Sequence, residues 1–301
     1  MDQSTAMRIF VRVAELASFT QAAQSLGQPK ATVSLAVQKL ESELGVRLLH
    51  RTTRRVVMTQ DGQAFYERSK ELLADLDELK GMFCASDADL AGRLRVDMPS
   101  GTAKTTIIPA LPEFLRRYPG LEVELSSTDR RVDLVREGFD CVLRVGALAD
   151  SSLVARPLGT YRLLNCASPD YLDRFGTPSN IHGLAGHRLV HYVPIFGARP
   201  VGFEYVDAAA AIRYVTMPGS LTVNNSDAYL AACLAGIGII QVPEPAVRQY
   251  LADGRLVDLL PQWRAAPMPV SLLYASRRQL PRRVQVFMAW VAEVMRPNLQ
   301  P

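Results

Sequence analysis

The chain has 301 residues, of which 48% are hydrophobic, and it carries a net charge of +4 at pH 7. This length is too great for one small domain and predicts two or three domains, each with a sizeable core. The N-terminus does not resemble a signal peptide, and no apolar run approaches the roughly 20 residues that cross a bilayer, so we expect a soluble, cytoplasmic protein with no membrane partner.

Residues 1–60 predict a winged helix-turn-helix domain. Ser18 or Thr20 can cap a short helix that ends at Gly27, and a second helix is predicted from Lys30 to Leu44. Residues 48–59 follow as two short strand-like runs around a Thr/Arg tip, which is typical of a β-wing. The second helix has a predicted buried stripe made of Val33, Val37, Leu40 and Leu44.

The opposite side of that helix is small and polar enough to approach base edges, and the wing arginines can reach phosphates. Residues 1–60 hold eight Lys and Arg against four Asp and Glu, whereas residues 61–90 hold three against eight. Phosphate contact is therefore expected from the head alone, with a solvated hairpin as the alternative for any single wing arginine. The predicted DNA-contacting residues are Ser18, Thr20, Lys30, Ala31, Thr32, Ser34, Leu35, Gln38, Arg51, Thr53, Arg54 and Arg55.

Residues 61–90 predict one long linker helix followed by a hinge. Interleaved seven-residue repeats of apolar residues, with charges elsewhere, favour pairing with a partner helix over packing on the chain's own core. The predicted dimerisation residues are Phe65, Leu72, Leu76, Leu79 and Phe83.

From residue 91 to residue 301, strands alternate with helices, which predicts βαβ units with parallel strands and an α/β fold class overall. The first lobe comprises about 91–162 and 267–301, and the second lobe about 163–266. A helix is predicted at 132–137 within the first lobe.

Two-lobed domains bind ligands between their lobes. The loop at residues 99–102 offers hydroxyl and backbone N–H groups at a helix start, which suits a small anionic effector, with plain helix capping as the alternative. Arg144 could neutralise an acid or pair with a nearby carboxylate such as Asp140. The predicted effector-binding residues are Ser100, Gly101, Thr102, Thr128, Arg144, Asn225 and Ser226.

Residues 10–62 resemble the N-terminal domain of LysR-type transcriptional regulators in the order and spacing of many residues. Pro29 departs from the family pattern, which has Ser or Thr there as a cap, because proline suits a first helical turn but supplies no side-chain cap. Residues 91–301 resemble the family's periplasmic-binding-protein-like effector domain more loosely. The matching residues of the head are Phe10, Ser18, Phe19, Thr20, Ala22, Ala23, Leu26, Val33, Ser34, Leu40, Glu41, Leu44, Gly45, Leu48, Arg51, Arg54, Thr59 and Gly62.

The resemblance implies a sequence-specific DNA-binding regulator of transcription. It also implies that the linker helix pairs two subunits, that a tetramer forms from two such dimers, and that a small molecule binds between the lobes. Double-stranded DNA with an inverted-repeat operator is then the expected partner. Contact with RNA polymerase stays open.

Other protein classes explain the sequence less well. The chain lacks GxSxG, HExxH, Walker and Rossmann motifs, and its histidines lack metal-ligand spacing, so we expect no catalytic residue, no metal and no cofactor. A solute-binding receptor would explain residues 91–301 but not the head. A regulator that senses oxidants through thiols is a further alternative, although small buried hydrophobes are the better interpretation of Cys84, Cys141, Cys166 and Cys233.

Overall fold

The computed structural model describes residues 2–51, 56–81, 90–148, 153–275 and 280–300. The chain forms two compact units. The first unit is Met1–Leu90 with Arg136–Gly138 and Arg277–Arg282. The second unit is Ala91–Val135, Phe139–Ser276 and Arg283–Pro301.

The first unit begins with three helices, α1 (Gln3–Leu16), α2 (Phe19–Ser25) and α3 (Lys30–Leu44). Ser18 caps α2, because its hydroxyl accepts the N–H of Gln21 at 3.3 Å. Pro29 precedes α3 without a side-chain cap, as its chemistry predicts, and α3 nevertheless begins at Lys30.

An antiparallel hairpin follows α3, formed by β1 (Leu49–Arg51) and β2 (Val56–Met58). The long helix α4 (Gln60–Gly81) comes next. The predicted head and linker helix are therefore both present in the structure.

The core of the first unit joins α1, α3 and α4 through buried Phe10, Val37 and Tyr66. The predicted stripe of α3 is buried except at Leu44, which is 39% exposed. Leu44 is the last residue of α3, where Gly45 in a left-handed conformation (φ 70°) turns the chain away. Ala36 is buried in the core instead.

Helix α4 packs against its own chain through a face next to the predicted dimerisation face. Tyr66, Ser69 and Leu73 are buried, so Ser69 lies on the side of α4 that packs against its own chain. The neighbouring face carries Leu72 and Leu76, which are 45% and 39% exposed. The other predicted dimerisation residues are Phe65, Leu79 and Phe83. Phe65 packs edge-on against Phe10, with ring centroids 5.4 Å apart, while the side chain of Leu79 and the whole of Phe83 lie outside the described residues.

The second unit contains a five-stranded sheet in the order β4-β3-β5-β14-β6. β3 pairs in parallel with β4 and β5, and β14 pairs antiparallel with β5 and β6. The strands are β3 (Ala91–Met98), β4 (Gly120–Ser127), β5 (Cys141–Val145), β6 (Leu153–Tyr161) and β14 (Met268–Ala275).

Helices pack with this sheet to complete the first lobe. α5 (Ser100–Thr102) continues through a π-helical segment (Ala103–Ile107) into α6 (Ile108–Arg117). Near the end of the chain lie α10 (Arg282–Met295) and a 3₁₀ turn (Arg296–Asn298). The ring of Phe114 joins α6 to α10, because it lies 4.8 Å from the ring of Trp290.

The second lobe has a three-stranded antiparallel sheet in the order β12-β7-β13. Two further strand pairs are β8 with β11 and β9 with β10. The helices are α7 (Pro169–Phe175), a 3₁₀ helix (Ile181–Gly186), α8 (Ser226–Leu234) and α9 (Glu244–Ala252). The strands are β7 (Leu163–Ala167), β8 (His191–Tyr192), β9 (Phe203–Val206), β10 (Ile212–Val215), β11 (Thr222–Val223), β12 (Ile240–Pro243) and β13 (Val257–Leu259).

This architecture confirms the predicted α/β fold class with a winged helix-turn-helix head. The helix predicted at 132–137 was wrong, since irregular backbone and turns are present there. No described helix is long and apolar enough to cross a membrane.

Candidate nucleic-acid interface and interlobe site

Helix α3 presents an outward face opposite its buried stripe. Leu35 is 63% exposed, Gln38 and Ala31 are exposed, and Ser34 is half-buried. This face carries a methyl-rich side chain beside hydroxyl and amide groups, the chemistry that contacts thymine methyls and base edges in a major groove.

Four other predicted DNA-contacting residues lie on described elements, in α2, in α3 or at the end of β1. Thr20 is exposed in the first turn of α2, Lys30 is exposed at the start of α3, and Thr32 is half-buried. Arg51 ends β1. The side chain of Arg51 and the whole of Thr53, Arg54 and Arg55 lie outside the described residues.

Glu41 ties the wing to α3. One of its carboxylate oxygens accepts the backbone N–H groups of Leu48 and Leu49, at 2.8 and 3.0 Å. Such charge-assisted bonds are stronger and more directional than neutral ones. The start of the wing is therefore held at a fixed position beside α3. Sequence reasoning noted Glu41 only as a matching residue and missed this role.

The wing is also fixed to the start of α4. Thr59 donates its hydroxyl to the carbonyl of Arg47 at 2.7 Å and accepts the N–H of Gly62 at 2.8 Å. A Cβ atom on Gly62 would lie 1.9 Å from the carbonyl oxygen of Leu48, so only glycine fits there. These contacts explain why Thr and Gly occupy the two positions.

In the second unit, three predicted effector residues, Ser100, Gly101 and Ser226, meet at one point between the lobes. Together with Asp129 they form what we call the interlobe site. The hydroxyls of Ser100 and Ser226 are 2.9 Å apart, and the N–H of Gly101 donates to the Ser226 hydroxyl at 3.1 Å. Asp129, the fourth member, was not among the predicted effector residues.

The Asp129 carboxylate occupies the centre of the interlobe site. It accepts the backbone N–H of Ser100 at 3.0 Å, the Ser100 hydroxyl at 3.2 Å and the backbone N–H of Ser226. Ser100 begins α5 in the first lobe and Ser226 begins α8 in the second. One carboxylate therefore satisfies N–H groups at two facing helix starts, where negative charge is favoured.

Tyr192 of the second lobe lies near this carboxylate. Burial and, second, the negative charge of Asp129 raise the pKa of Tyr192 to about 12. The phenol therefore stays protonated near neutral pH and remains a hydrogen-bond donor. Its ring packs edge-on against Tyr229, with centroids 5.5 Å apart. Sequence reasoning did not identify Tyr192.

Thr128 and Arg144 meet at a buried carboxylate rather than at the interlobe site. Asp97 accepts the Thr128 hydroxyl at 3.1 Å and one Arg144 guanidinium nitrogen at 3.1 Å. Asp140, the partner considered from sequence, instead accepts the N–H of Arg95. That pairing was wrong because Asp97 lies on β3, which runs directly beside β5.

Burial dominates the electrostatics of this pair. The Asp97 side chain is 0% exposed, and burial raises its pKa although Ser126, Arg144 and Thr128 all oppose the rise. Burial also lowers the pKa of Arg144, against the attraction of Asp97. The second terminal nitrogen of Arg144 is buried and has no hydrogen-bond partner among the described residues.

The remaining predicted effector residues, Thr102 and Asn225, contact other groups of the protein. Thr102 is buried, and its hydroxyl lies 3.5 Å from the hydroxyl of Tyr161. Asn225 caps α8 by accepting the N–H of Ala228 at 2.8 Å. Helix capping, the alternative considered from sequence, therefore describes Asn225.

Three of the four cysteines are free and buried, namely Cys141, Cys166 and Cys233. Burial raises the pKa of each thiol, that of Cys233 to about 12. Such thiols are mostly protonated near neutral pH and are poor nucleophiles. Cys84 lies outside the described residues.

Comparison with known families matches both units. Residues 4–63 match "Bacterial regulatory helix-turn-helix protein, lysR family", and residues 87–296 match "LysR substrate binding domain".

Similar proteins cover nearly the whole chain. The HTH-type transcriptional regulator YhjC of Escherichia coli (strain K12) is 49% identical over 299 residues, which is 99% of this chain and 100% of that protein. An HTH-type transcriptional repressor of Pseudomonas aeruginosa (strain UCBPP-PA14) is 39% identical, covering 99% of this chain and 94% of the repressor. The HTH-type transcriptional activator AaeR of E. coli K12 is 34% identical, covering 95% and 92%.

Solved structures agree with these matches. CrgA, a LysR-type transcriptional regulator from Neisseria meningitidis, is 30% identical with a TM-score of 0.61, covering 97% of this chain and 99% of CrgA. The full-length Vibrio cholerae virulence activator AphB is 28% identical with a TM-score of 0.59, covering 97% and 99%.

Proposed function

Because this chain belongs to the LysR-type family of transcriptional regulators, in which a DNA-binding helix-turn-helix is joined to an effector-binding domain, we propose that α3 and its wing read an inverted-repeat operator and that a small acid bound between the lobes modulates this reading. The outward face of α3 is the observation that carries the proposal. It keeps Leu35 and Gln38 exposed on a helix whose opposite side is buried as far as Leu40. A packed helix with such a face can enter a major groove without rearrangement.

Within this face, Ser34, Leu35 and Gln38 read base edges. The Gln38 amide can donate to and accept from one adenine edge, and the Leu35 side chain can contact a thymine methyl. Arg51, Arg54 and Arg55 of the wing bind phosphates, which positions α3 without reading sequence. Ser18, Thr20, Lys30, Ala31, Thr32 and Thr53 complete the proposed contact surface.

Substituting Gln38 by alanine should relax the base preference at one operator position. Loss of a bidentate contact costs about 1–3 kcal/mol against the preferred base and little against the others. Selection of duplexes from a random library, with wild type and Gln38→Ala in parallel, measures this directly. Gln249→Ala is the matched control, because it removes the same amide from the second unit.

Arg54→Ala separates positioning from reading in the same assay. It should weaken binding to all sequences alike and reduce the slope of log affinity against log salt by about one. An unchanged base preference for Gln38→Ala would contradict the proposed orientation of α3.

We further propose that the exposed face of α4, with Leu72 and Leu76, pairs two subunits and that two such dimers form a tetramer. Two heads on one duplex make the second contact effectively intramolecular. Such a protein acts in the cytoplasm, where its operator lies, and contact with RNA polymerase would connect it to transcription.

The effector proposal rests on the donors of the interlobe site. The carboxylate of Asp129 already accepts the backbone N–H groups of Ser100 and Ser226, and the N–H of Gly101 donates to the Ser226 hydroxyl. Arg144 is not part of the interlobe site, but it has a terminal nitrogen with no partner among the described residues, which suits a second anionic group. These donors favour an acid over an amine as ligand.

Small carboxylic acids should therefore stabilise the full chain, whereas their primary amides should not. An acid present at a hundred times its dissociation constant contributes about 2.7 kcal/mol. For a unit of this size that is a rise in Tm of roughly 5–10 °C. A thermal-shift screen of acids, each paired with its amide, makes the comparison. Equal shifts for the acid and amide of every pair would contradict an acidic effector.

A further inference from the structure

Asp129 contacts both lobes through its carboxylate. Both of its oxygens are engaged, one with the backbone of the first lobe and the other with the N–H of Ser226 in the second. The nearby pair of Lys104 and Asp227 also spans the lobes, at 3.4 Å, but both of its side chains are exposed. An exposed ion pair contributes little, whereas a half-buried carboxylate with several N–H donors binds firmly.

The contacts around Asp129 reinforce one another. The Ser100 hydroxyl contacts both Asp129 and Ser226, and the Ser226 hydroxyl accepts the N–H of Gly101. All these groups lie at the starts of α5 and α8, so separating the lobes would leave donors of both helices without partners. The carboxylate is therefore the common acceptor that joins the two lobes.

We propose that Asp129 is a built-in latch, which holds the lobes together at the interlobe site and must be released before a ligand can enter there. This inference deepens the proposed function, because it assigns a regulatory contact to the proposed effector site. A ligand carboxylate would offer the same donors an equivalent acceptor, so ligand entry exchanges one carboxylate for another. The net free energy of binding is then set by the difference between the two.

Hydrogen exchange of the full-length chain, without DNA or added ligand, tests the latch. Asp129→Ala should speed exchange of the Ser100, Gly101 and Ser226 amides at least tenfold. The Ser100 and Ser226 amides lose their acceptor, and the Gly101 amide donates to the hydroxyl of Ser226. Asp227→Asn is the matched control, since it removes a negative charge one residue from Ser226 without touching the latch. It should leave these amides within threefold of wild type.

Two results would overturn the latch. One is unchanged protection of these amides in Asp129→Ala, and the other is equal loosening in Asp227→Asn. Because no effector or operator is present, neither result bears on DNA binding or on effector identity. Those parts of the proposed function fail separately, in the duplex selection and in the acid screen.

Disulfide trapping decides the case in which Asp129→Ala loosens the whole chain. Ser100→Cys with Ser226→Cys replaces two hydroxyls that lie 2.9 Å apart. The pair should cross-link readily when Asp129 is present and at least tenfold more slowly when Asp129→Asn is added, as followed by mass spectrometry of the joined peptides. Asparagine has nearly the same size, but it replaces one of the two accepting oxygens by an NH₂ group, which would face an N–H donor. Equal cross-linking rates with aspartate and asparagine would contradict the latch.

Discussion

Replacing Leu72 and Leu76 by glutamate should convert the protein to a monomer and lower its affinity for an inverted-repeat operator by about 10²–10⁴-fold. Both side chains are exposed on α4 although they are apolar. Glutamate in a helix–helix contact would bury a charge without a partner, which strongly opposes association. Sedimentation velocity measures the oligomeric state, and fluorescence anisotropy on a selected duplex measures the affinity.

The matched control places the same change elsewhere. Ile212 and Val257 of the second unit are similarly exposed apolar residues. Ile212→Glu with Val257→Glu adds the same two charges and should leave both the oligomer and the affinity intact. A Leu72→Glu, Leu76→Glu protein that sediments as the wild type does would show that α4 is not the dimer contact.

Arg144→Met should destabilise the second unit by about 3–5 kcal/mol, the usual cost of removing one partner of a buried ion pair. Asp97 would remain fully buried without its guanidinium partner. Both tryptophans, Trp263 and Trp290, lie in the second unit, so urea unfolding followed by their fluorescence reports on it. Adding Asp97→Asn removes the unpaired charge and should recover part of the loss.

The pH dependence of this loss has a definite sign. Burial already raises the Asp97 pKa, and loss of Arg144 removes a group that opposes the rise. The folded variant then binds a proton that the unfolded chain has released, so its stability falls as pH rises. The deficit relative to wild type should be smaller at about pH 5 than at about pH 8.

Arg213→Met is the control for loss of an arginine in the same unit. Arg213 pairs with Asp207 at the surface, where the guanidinium is exposed. Its loss should be close to neutral. An Arg144→Met protein as stable as Arg213→Met would contradict the account of the buried pair.

The head could be predicted from sequence because its determinants are local. Ser18 caps α2 by accepting the N–H of the residue three positions later. Gly45 ends α3, and the apolar spacing of α3 identifies its packed side. Leu44 was predicted wrongly for an equally local reason, since a spacing rule does not show where a helix leaves its neighbour.

The interlobe site could be predicted only in part, because its partners are distant in sequence. Ser100 and Ser226 were identified as polar residues at helix starts, but nothing local indicates that Asp129 joins them across 29 and 97 residues. Arg144 was matched to Asp140, four residues away, whereas strand pairing brings Asp97 beside it across 47 residues. Sheet registry, rather than sequence proximity, decides such contacts.

One measurement tests the central claim, that this chain reads a specific operator, most directly. The full-length chain is titrated by anisotropy at about 150 mM salt onto the duplex it selects and onto a shuffled duplex of equal composition. A specific regulator should prefer the selected inverted repeat by about 10³-fold or more. Equal affinity for the two duplexes would contradict the account, because backbone contacts alone would then explain all of the binding.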